Sequence, residues 1–204
     1  LFHSTASPFV RKVMVLAHES GLADRIECVS AVVSPVARDM AVVAHNPTGH
    51  IPTLLLEDGQ ALYDSAVICQ YLDTLHDGEP FHPVSAADRS RALCLQALAD
   101  GIMNAGVLIR FETALRPPEL RWPAWLEGQR SKIVSSLDVL ARDWIEHLER
   151  SPDMGAIATG CALSYIDFRL LHPGWREAVP ALAAWYARFS ERPSMRKTEL
   201  WTLA

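Results

Sequence analysis

The sequence changes its pattern near residue 80, and that change limits the folds open to it. Residues before this point alternate short strand-like and helix-like segments, whereas the segments after it have helical periodicity only. An alternating part followed by an all-helical part predicts two packed domains. We place an α/β domain at residues 1–76, a Gly- and Pro-containing linker at 77–87 and an all-α helical domain at 88–204.

The first domain has the predicted order β-α-β-α-β-β-α. Its first helix, from Pro8 to Ser20, has Ser7 as a favoured N-cap and Gly21 at a position that suits a helix C-terminus. Its last helix opens at Ser65, after a hairpin turn at Glu57–Gly59. The remaining segments are strands at residues 1–3, 25–32, 53–56 and 60–63, and a helical turn at 35–40.

The second domain is predicted to contain helices only. "RPPEL" and "SPDMGAIATG" are interpreted as breaks between them, and Ser164 with Asp167 as a capping box that opens the third helix. The predicted helices cover residues 88–115, 123–150, 164–171 and 178–190.

Charge and cysteine usage exclude several classes of protein. The formal net charge is −5, and the first 80 residues carry 4 basic against 10 acidic side chains, so we expect no nucleic-acid partner. No apolar run approaches the ~20 residues that span a bilayer, so we expect no membrane partner. The cysteines form no C-x-x-C pair, which predicts free thiols in a reducing cytoplasm and no metal site. They are Cys28, Cys69, Cys94 and Cys161.

Four motifs in order along the chain resemble the cytosolic glutathione transferase family. They are "SPFVRKV", "NPTGHIPTL", "YDSAVICQYL" and "GCALSYID". The first resembles serine-type members, such as the tau class and many bacterial proteins, and the zeta class is a close variant. The resemblance implies a thioredoxin-like N-terminal domain, glutathione as co-substrate, a cytoplasmic homodimer and a role in detoxification.

The resemblance also implies a glutathione site in the first domain. The bond before Pro52 would be cis, so that the backbone of Ile51 pairs with the cysteinyl part of glutathione like an added strand. Asp64 and Ser65 lie at a helix N-terminus, where unpaired N–H groups favour the γ-glutamyl carboxylate. Alternatively, Ser65 serves only as the N-cap.

His50 stands where the family often has lysine, and would donate to the glycyl carboxylate. Histidine side chains are mostly neutral at pH 7, so this implies weaker glutathione binding that tightens below neutrality. The region from Arg38 to Ala44 lacks the basic residue that some classes of the family place upstream to bind the glycyl end of glutathione. The alternative is a solvent-facing loop histidine.

Ser7 precedes Pro8 at the start of a helix, where the family places the glutathione sulfur. A hydroxyl that donates to a thiolate stabilises the charged form and lowers the pKa of the thiol. Two alternatives remain: Ser7 only caps the helix, or Ser4 contacts the sulfur.

We expect the electrophile to bind between the domains, against Phe9 and one face of the first long helix. Met103, Val107 and Arg110 share that face with Gly106, which could admit a ligand closely. The alternative is an ordinary core with a surface arginine.

The function that these features favour is a glutathione transferase acting on a small hydrophobic electrophile. The alternatives are a non-catalytic binding protein with the same fold, or a glutathione-dependent isomerase. A disulfide reductase is disfavoured because no cysteine occupies residues 4–7.

Overall fold

The structure is a computed structural model that describes residues 1–150 and 152–201. The chain divides into two compact units. The first contains residues 1–82 together with the C-terminal segment from Pro193, and the second is Pro83–Arg192. The division after residue 82 falls inside the predicted linker, but the C-terminal segment was predicted to belong to the helical domain.

Four short strands form the sheet of the first unit. β1 and β2 pair in parallel, β3 and β4 pair antiparallel, and a single antiparallel bridge from Phe2 to Thr53 joins the two pairs. The Phe2 N–H donates to the Thr53 carbonyl at 2.8 Å. The resulting order β2-β1-β3-β4 is consistent with the thioredoxin-like domain that the resemblance implies. The strands are β1 (Phe2–His3), β2 (Val29–Ser30), β3 (Leu54–Leu55) and β4 (Ala61–Leu62).

The helices α1 (Pro8–Glu19), α2 (Met40–Val43) and α3 (Ser65–Leu72) accompany this sheet. α1 has the predicted ends. The Ser7 hydroxyl accepts the Val10 N–H, and Gly21 adopts a φ of +71° that favours glycine after the helix.

Two predictions in this unit need correction. The strand expected over residues 25–32 is limited to β2, and its expected first residue, Arg25, belongs to a 3₁₀ turn at Ala23–Arg25. The helical turn expected at 35–40 lies later, at α2, because the carboxylate of Asp39 accepts the Ala41 N–H and thereby caps a helix that starts at Met40.

The second unit is helical, as predicted. α5 continues through a π-helical turn at Leu140–Trp144 into α6, and α4 packs along α7 in the core. The helices are α4 (Ala86–Ala114), α5 (Pro123–Val139), α6 (Ile145–Leu148), α7 (Met154–Arg169), α8 (Trp175–Ala178) and α9 (Pro180–Phe189).

The predicted break before α7 is correct only at Pro152 and Asp153, and the predicted capping box is wrong. The helix begins at Met154, with the Asp153 carboxylate accepting the Ala156 N–H at 2.9 Å. Ser164 and Asp167 lie within the helix, and Asp167 accepts hydrogen bonds from Trp175 and Arg176. Small residues permit close helix packing here.

α4 is a long and apolar helix of 29 residues. By length and composition it passes the test for a membrane-crossing helix, which corrects the expectation that no such stretch exists. Core helices of soluble proteins pass the same test, and half of its most apolar window is buried here. The helix is therefore weak evidence for a membrane span.

The final helix, α10 (Pro193–Lys197), joins the first unit through α1. The Arg11 guanidinium donates to the Met195 carbonyl at 2.8 Å and to the Thr198 hydroxyl at 3.3 Å. These bonds explain why the C-terminal segment belongs to the first unit.

Candidate functional site

The loop between β1 and α1 carries the two candidate hydroxyls. Ser7 Oγ accepts the Val10 N–H at 3.3 Å, and Ser4 Oγ accepts the Ala6 N–H at 3.4 Å. A serine hydroxyl that accepts one hydrogen bond still has its own hydrogen to donate. Capping and donation to an anion are therefore compatible at Ser7, which is half-buried at the positive end of α1.

The C-terminal segment holds this loop in place. Thr5 Oγ1 donates to the Trp201 carbonyl at 2.9 Å, and the Trp201 N–H donates to the Thr5 carbonyl at 3.3 Å. The sequence analysis missed this contact, because the partners lie 196 residues apart and no local pattern links them.

A buried asparagine organises the loop before β3. Asn46 Nδ2 donates to the His50 carbonyl at 3.1 Å and to Thr53 Oγ1 at 3.0 Å, while its Oδ1 accepts the Thr48 hydroxyl at 2.7 Å. Asn46 is 1% exposed. Its role was missed as well; the Asn-Pro pair that follows a helix was the available signal.

Ile51 follows this loop, and its bond to Pro52 is cis, as expected. Within residues 1–150 and 152–201, neither the N–H nor the carbonyl of Ile51 takes part in a hydrogen bond. Both groups are therefore available to an extended peptide, although the Ile51 side chain is buried.

The structure supplies a basic group that the sequence analysis did not find near His50. A guanidinium nitrogen of Arg38 donates to the Pro47 carbonyl. Two of its nitrogens would lie 3.4 Å from a Cβ built at Gly49. The exposed His50 side chain thus follows directly after a residue that Arg38 covers.

The N-terminus of α3 presents the third group of candidates. Asp64, not Ser65, is the N-cap: its Oδ1 accepts the Ala66 N–H at 2.9 Å. Asp64 is exposed, Ser65 is 2% exposed, and the Tyr63–Asp64 bond is cis. The reading of Ser65 as only a cap is therefore wrong, and its N–H is one of the first-turn amides without an intrahelical partner.

The residues expected to line an electrophile pocket differ in exposure. On α4, Met103 is fully buried, Val107 is half-buried and Arg110 is exposed. A Cβ at Gly106 would lie 2.6 Å from Leu171 and 2.9 Å from Tyr165. The side chains of Leu171 and Tyr165 occupy the space beside Gly106 in which the sequence analysis expected a ligand. On α1, Phe9 is half-buried, with Lys12 Nζ 5.7 Å from its ring centroid.

A metal site finds no support in the described part of the chain. No group of three His, Cys, Asp or Glu side chains there could hold an ion. All four cysteines are free thiols, with Cys28 and Cys94 exposed and the other two buried.

Family models match both units. The glutathione S-transferase N-terminal domain matches residues 6–75, and the glutathione S-transferase C-terminal domain matches residues 123–188. The chain is also 33% identical to the uncharacterized GST-like protein YibF of Escherichia coli K12, over 98% of this chain and 97% of that one. The chain belongs to the glutathione transferase family.

Solved structures of relatives contain glutathione or a derivative of it. A glutathione transferase family member from Pseudomonas fluorescens Pf-5 with bound glutathione is 51% identical, with a TM-score of 0.97 and coverage of 99% of this chain and 98% of that one. A structure with bound S-(propanoic acid)-glutathione, from the same organism, is 50% identical, with a TM-score of 0.91 and coverage of 99% of both chains. A Methylobacillus flagellatus KT glutathione S-transferase with bound glutathione is 34% identical, with a TM-score of 0.85 and 98% of both chains covered.

Proposed function

We propose that this chain is a glutathione transferase of the serine type, in which the Ser7 hydroxyl stabilises the thiolate for attack on a small hydrophobic electrophile. The observation that carries the proposal is the 51% identical relative with bound glutathione, which aligns over nearly the whole chain. The tau- and zeta-like character belongs to the same proposal, because it rests on the segment around Ser7.

Three groups of the first unit would hold glutathione. The unpaired backbone of Ile51 would bond to the cysteinyl part, and the N-terminus of α3 at Asp64 and Ser65 would bind the γ-glutamyl end. The exposed His50, one residue beyond the Gly49 that Arg38 covers, would meet the glycyl carboxylate. Pro52 fixes the backbone beside Ile51.

The stabilisation of the thiolate that Ser7 would have to supply is small. A shift of about two units from a thiol pKa near ~8.5 corresponds to ~2.7 kcal/mol, which one charge-assisted hydrogen bond can supply. The thiolate fraction at pH 7 would rise from roughly 3% to 75%. Because a less basic thiolate is a weaker nucleophile, a gain of only ~3-fold survives. Holding the electrophile beside the sulfur must therefore provide most of the acceleration.

The product would be a glutathione thioether. The bound S-(propanoic acid)-glutathione of the 50% identical relative is such a compound, and it supports conjugation or addition at carbon. In the reaction, the sulfur forms a bond to an electrophilic carbon, and either a leaving group departs or a proton is taken up by the adjacent carbon. Of the four side chains predicted to bind the electrophile, we propose the half-buried Phe9 and Val107 and the exposed Arg110. The fourth, Met103, is fully buried and would only support that face of α4 from within.

Assembly and location complete the proposal. We infer a homodimer, for which sedimentation would give twice the chain mass of 22.6 kDa. We infer a cytoplasmic location and a role in detoxification from the family resemblance and from the four free thiols.

Two measurements test the function. Calorimetry should detect glutathione binding, and an assay with 1-chloro-2,4-dinitrobenzene should detect conjugation. Ser7→Ala should raise the pKa of bound glutathione by about two units, whereas Ser4→Ala should leave it unchanged. Binding without turnover of any electrophile would contradict the transferase, and loss of activity in Ser4→Ala alone would contradict the role of Ser7.

A further inference from the structure

Two arginines and a buried tyrosine converge in the helical unit. Tyr165 on α7 is 2% exposed, and Arg169 follows one turn later on the same helix. The Arg169 Cζ lies 5.8 Å from the Tyr165 ring centroid and 4.2 Å from that of Phe168. The Arg169 guanidinium therefore makes cation–π contacts with the rings of Tyr165 and Phe168.

Arg110 reaches the same place from α4. The Tyr165 ring packs on Gly106, and Arg110 lies four residues further along the same face of the helix. Burial raises the pKa of Tyr165, and the positive charge of Arg169, a hydrogen bond from Arg169 and the positive charge of Arg110 act against that rise. Arg169 contacts the ring of Tyr165, and Arg110 lies one turn beyond the glycine on which that ring packs.

The positive charges in this cluster are not balanced by carboxylates. Across residues 1–150 and 152–201, neither Arg110 nor Arg169 forms an ion pair, although other arginines there do, Arg116 and Arg176 among them. Arg169 Nε is buried and has no hydrogen-bond partner in the same residues. A buried donor without a partner is costly and rare in folded proteins, so the hydrogen-bonding capacity of the Arg169 guanidinium is not used up within the chain.

We propose that Arg110, Tyr165 and Arg169 form a binding site for a small organic carboxylate. A carboxylate matches the planar fork of a guanidinium and can accept from two donors at once, and the Tyr165 hydroxyl adds a third. Half-buried Val107 and Phe168 flank the cluster and provide apolar contact for the body of the ligand. This neighbourhood favours an organic acid over an inorganic anion.

The proposal deepens the proposed function and rests on it in part, because Arg110 and Val107 are also side chains that we propose for electrophile binding, although the cluster contains no residue of the glutathione site. Titration calorimetry of the full chain with sodium benzoate and with benzamide, its neutral isostere, tests it. Benzoate should bind at least about tenfold more tightly than benzamide, as one charge-assisted hydrogen bond implies. Arg110→Gln and Arg169→Gln should each weaken benzoate binding by a similar factor.

Arg130→Gln is the matched control, because Arg130 is an exposed arginine on α5 outside the cluster. It should leave the dissociation constant of benzoate within about twofold of the wild-type value. Arg110 is exposed, so its variant keeps the test decisive if Arg169→Gln fails to fold. Absence of benzoate binding, equal binding of benzamide, no effect of Arg110→Gln, or equal competition by inorganic phosphate would each overturn the proposal.

A second arm identifies the source of the carboxylate. S-(4-carboxybenzyl)glutathione is compared with S-(4-carbamoylbenzyl)glutathione in the wild type and in Arg110→Gln. A preference for the acid that Arg110→Gln removes would show that the carboxylate is carried on the sulfur substituent. A preference confined to benzoate would show an independent ligand. Failure of glutathione itself to bind would refute the proposed function and leave the benzoate result intact.

Discussion

At Ser7 a single hydroxyl group is asked to do two things. It accepts the Val10 N–H as the cap of α1, and in the proposed mechanism it donates to the thiolate of glutathione. A substitution that removes both interactions cannot separate them. Aspartate separates them, because its carboxylate caps a helix but has no hydrogen to donate.

We therefore expect Ser7→Ala and Ser7→Asp to differ in stability and agree in chemistry. The alanine variant should lose about 1 kcal/mol of unfolding free energy, and the aspartate variant should retain most of it because a carboxylate favours a helix N-terminus. Urea unfolding measures this difference. Both variants should raise the pKa of bound glutathione, read from the ultraviolet absorbance of the thiolate. A low thiol pKa in Ser7→Asp would show that another group activates the sulfur.

His50 belongs to the same scale, because its backbone and its side chain have separate roles. Its carbonyl accepts from Asn46 and Thr53, whereas its side chain is exposed. The backbone contacts fix the loop whatever the side chain, so the side chain can be replaced without loss of the loop.

S-methylglutathione, which has no ionisable thiol, isolates this contact, and for the wild type we expect its dissociation constant to fall as the pH is lowered from 8 to 6, since a protonated imidazole attracts the glycyl carboxylate. His50→Lys should bind more tightly at pH 8, by up to about fivefold, and show a flat profile. His45→Lys, at another exposed histidine, is the control and should keep the wild-type slope. Flat profiles in both the wild type and His50→Lys would rule out the contact.

At the scale of elements, caps and amphipathic stripes made α1 and α3 predictable. α7 was missed because all of its residues from Met154 to Ile166 are buried, so no apolar stripe alternates with a polar face. Its small residues resemble a loop in sequence, yet they serve packing against α4. The same limit applies to the candidate site. Motifs identified Ser7, Ile51 and Asp64 as candidates, whereas Thr5 and Arg38 contact partners that no local pattern reveals.

Close packing of α7 on α4 can be tested with two glycines. A Cβ at Gly155 would lie 2.9 Å from the Ala92 carbonyl oxygen and from two side-chain atoms of Leu95. Gly155→Ala should therefore reduce the free energy of unfolding by about 1–3 kcal/mol.

Gly128 in α5 is the matched control, because nothing lies within 4 Å of a Cβ built there. Gly128→Ala should raise the unfolding free energy by about 0.5–1 kcal/mol, since alanine is the better helix former. Urea titrations of both variants measure the contrast. A loss of stability at Gly128 equal to that at Gly155 would contradict the packing argument.

At the scale of the whole molecule, one buried carboxylate binds several groups of the segment that follows α3 and ends at residue 82. Asp73 accepts the N–H groups of Phe81 and His82 at 2.8 Å each. It also bonds to the ring of His82 at 2.8 Å and to that of His76 at 3.1 Å. Burial acts to raise the pKa of Asp73, but the hydrogen bonds that it accepts from Phe81, His82 and His76 outweigh burial and hold it below its usual value of 3.8.

This depressed pKa links the fold to acid stability. Because Asp73 binds its proton less readily in the folded chain than in the unfolded one, its contribution is complete above the ordinary aspartate pKa and is lost as the pH falls through the lower folded value. Asp73→Asn should cost about 1–3 kcal/mol at pH 7 and flatten the decline in stability below pH 5. Asp77→Asn, at an exposed carboxylate four residues away, should reproduce the wild-type curve. Urea midpoints measured from pH 7 to pH 3 decide the matter, and parallel curves for the wild type and Asp73→Asn would show that the acid sensitivity arises elsewhere.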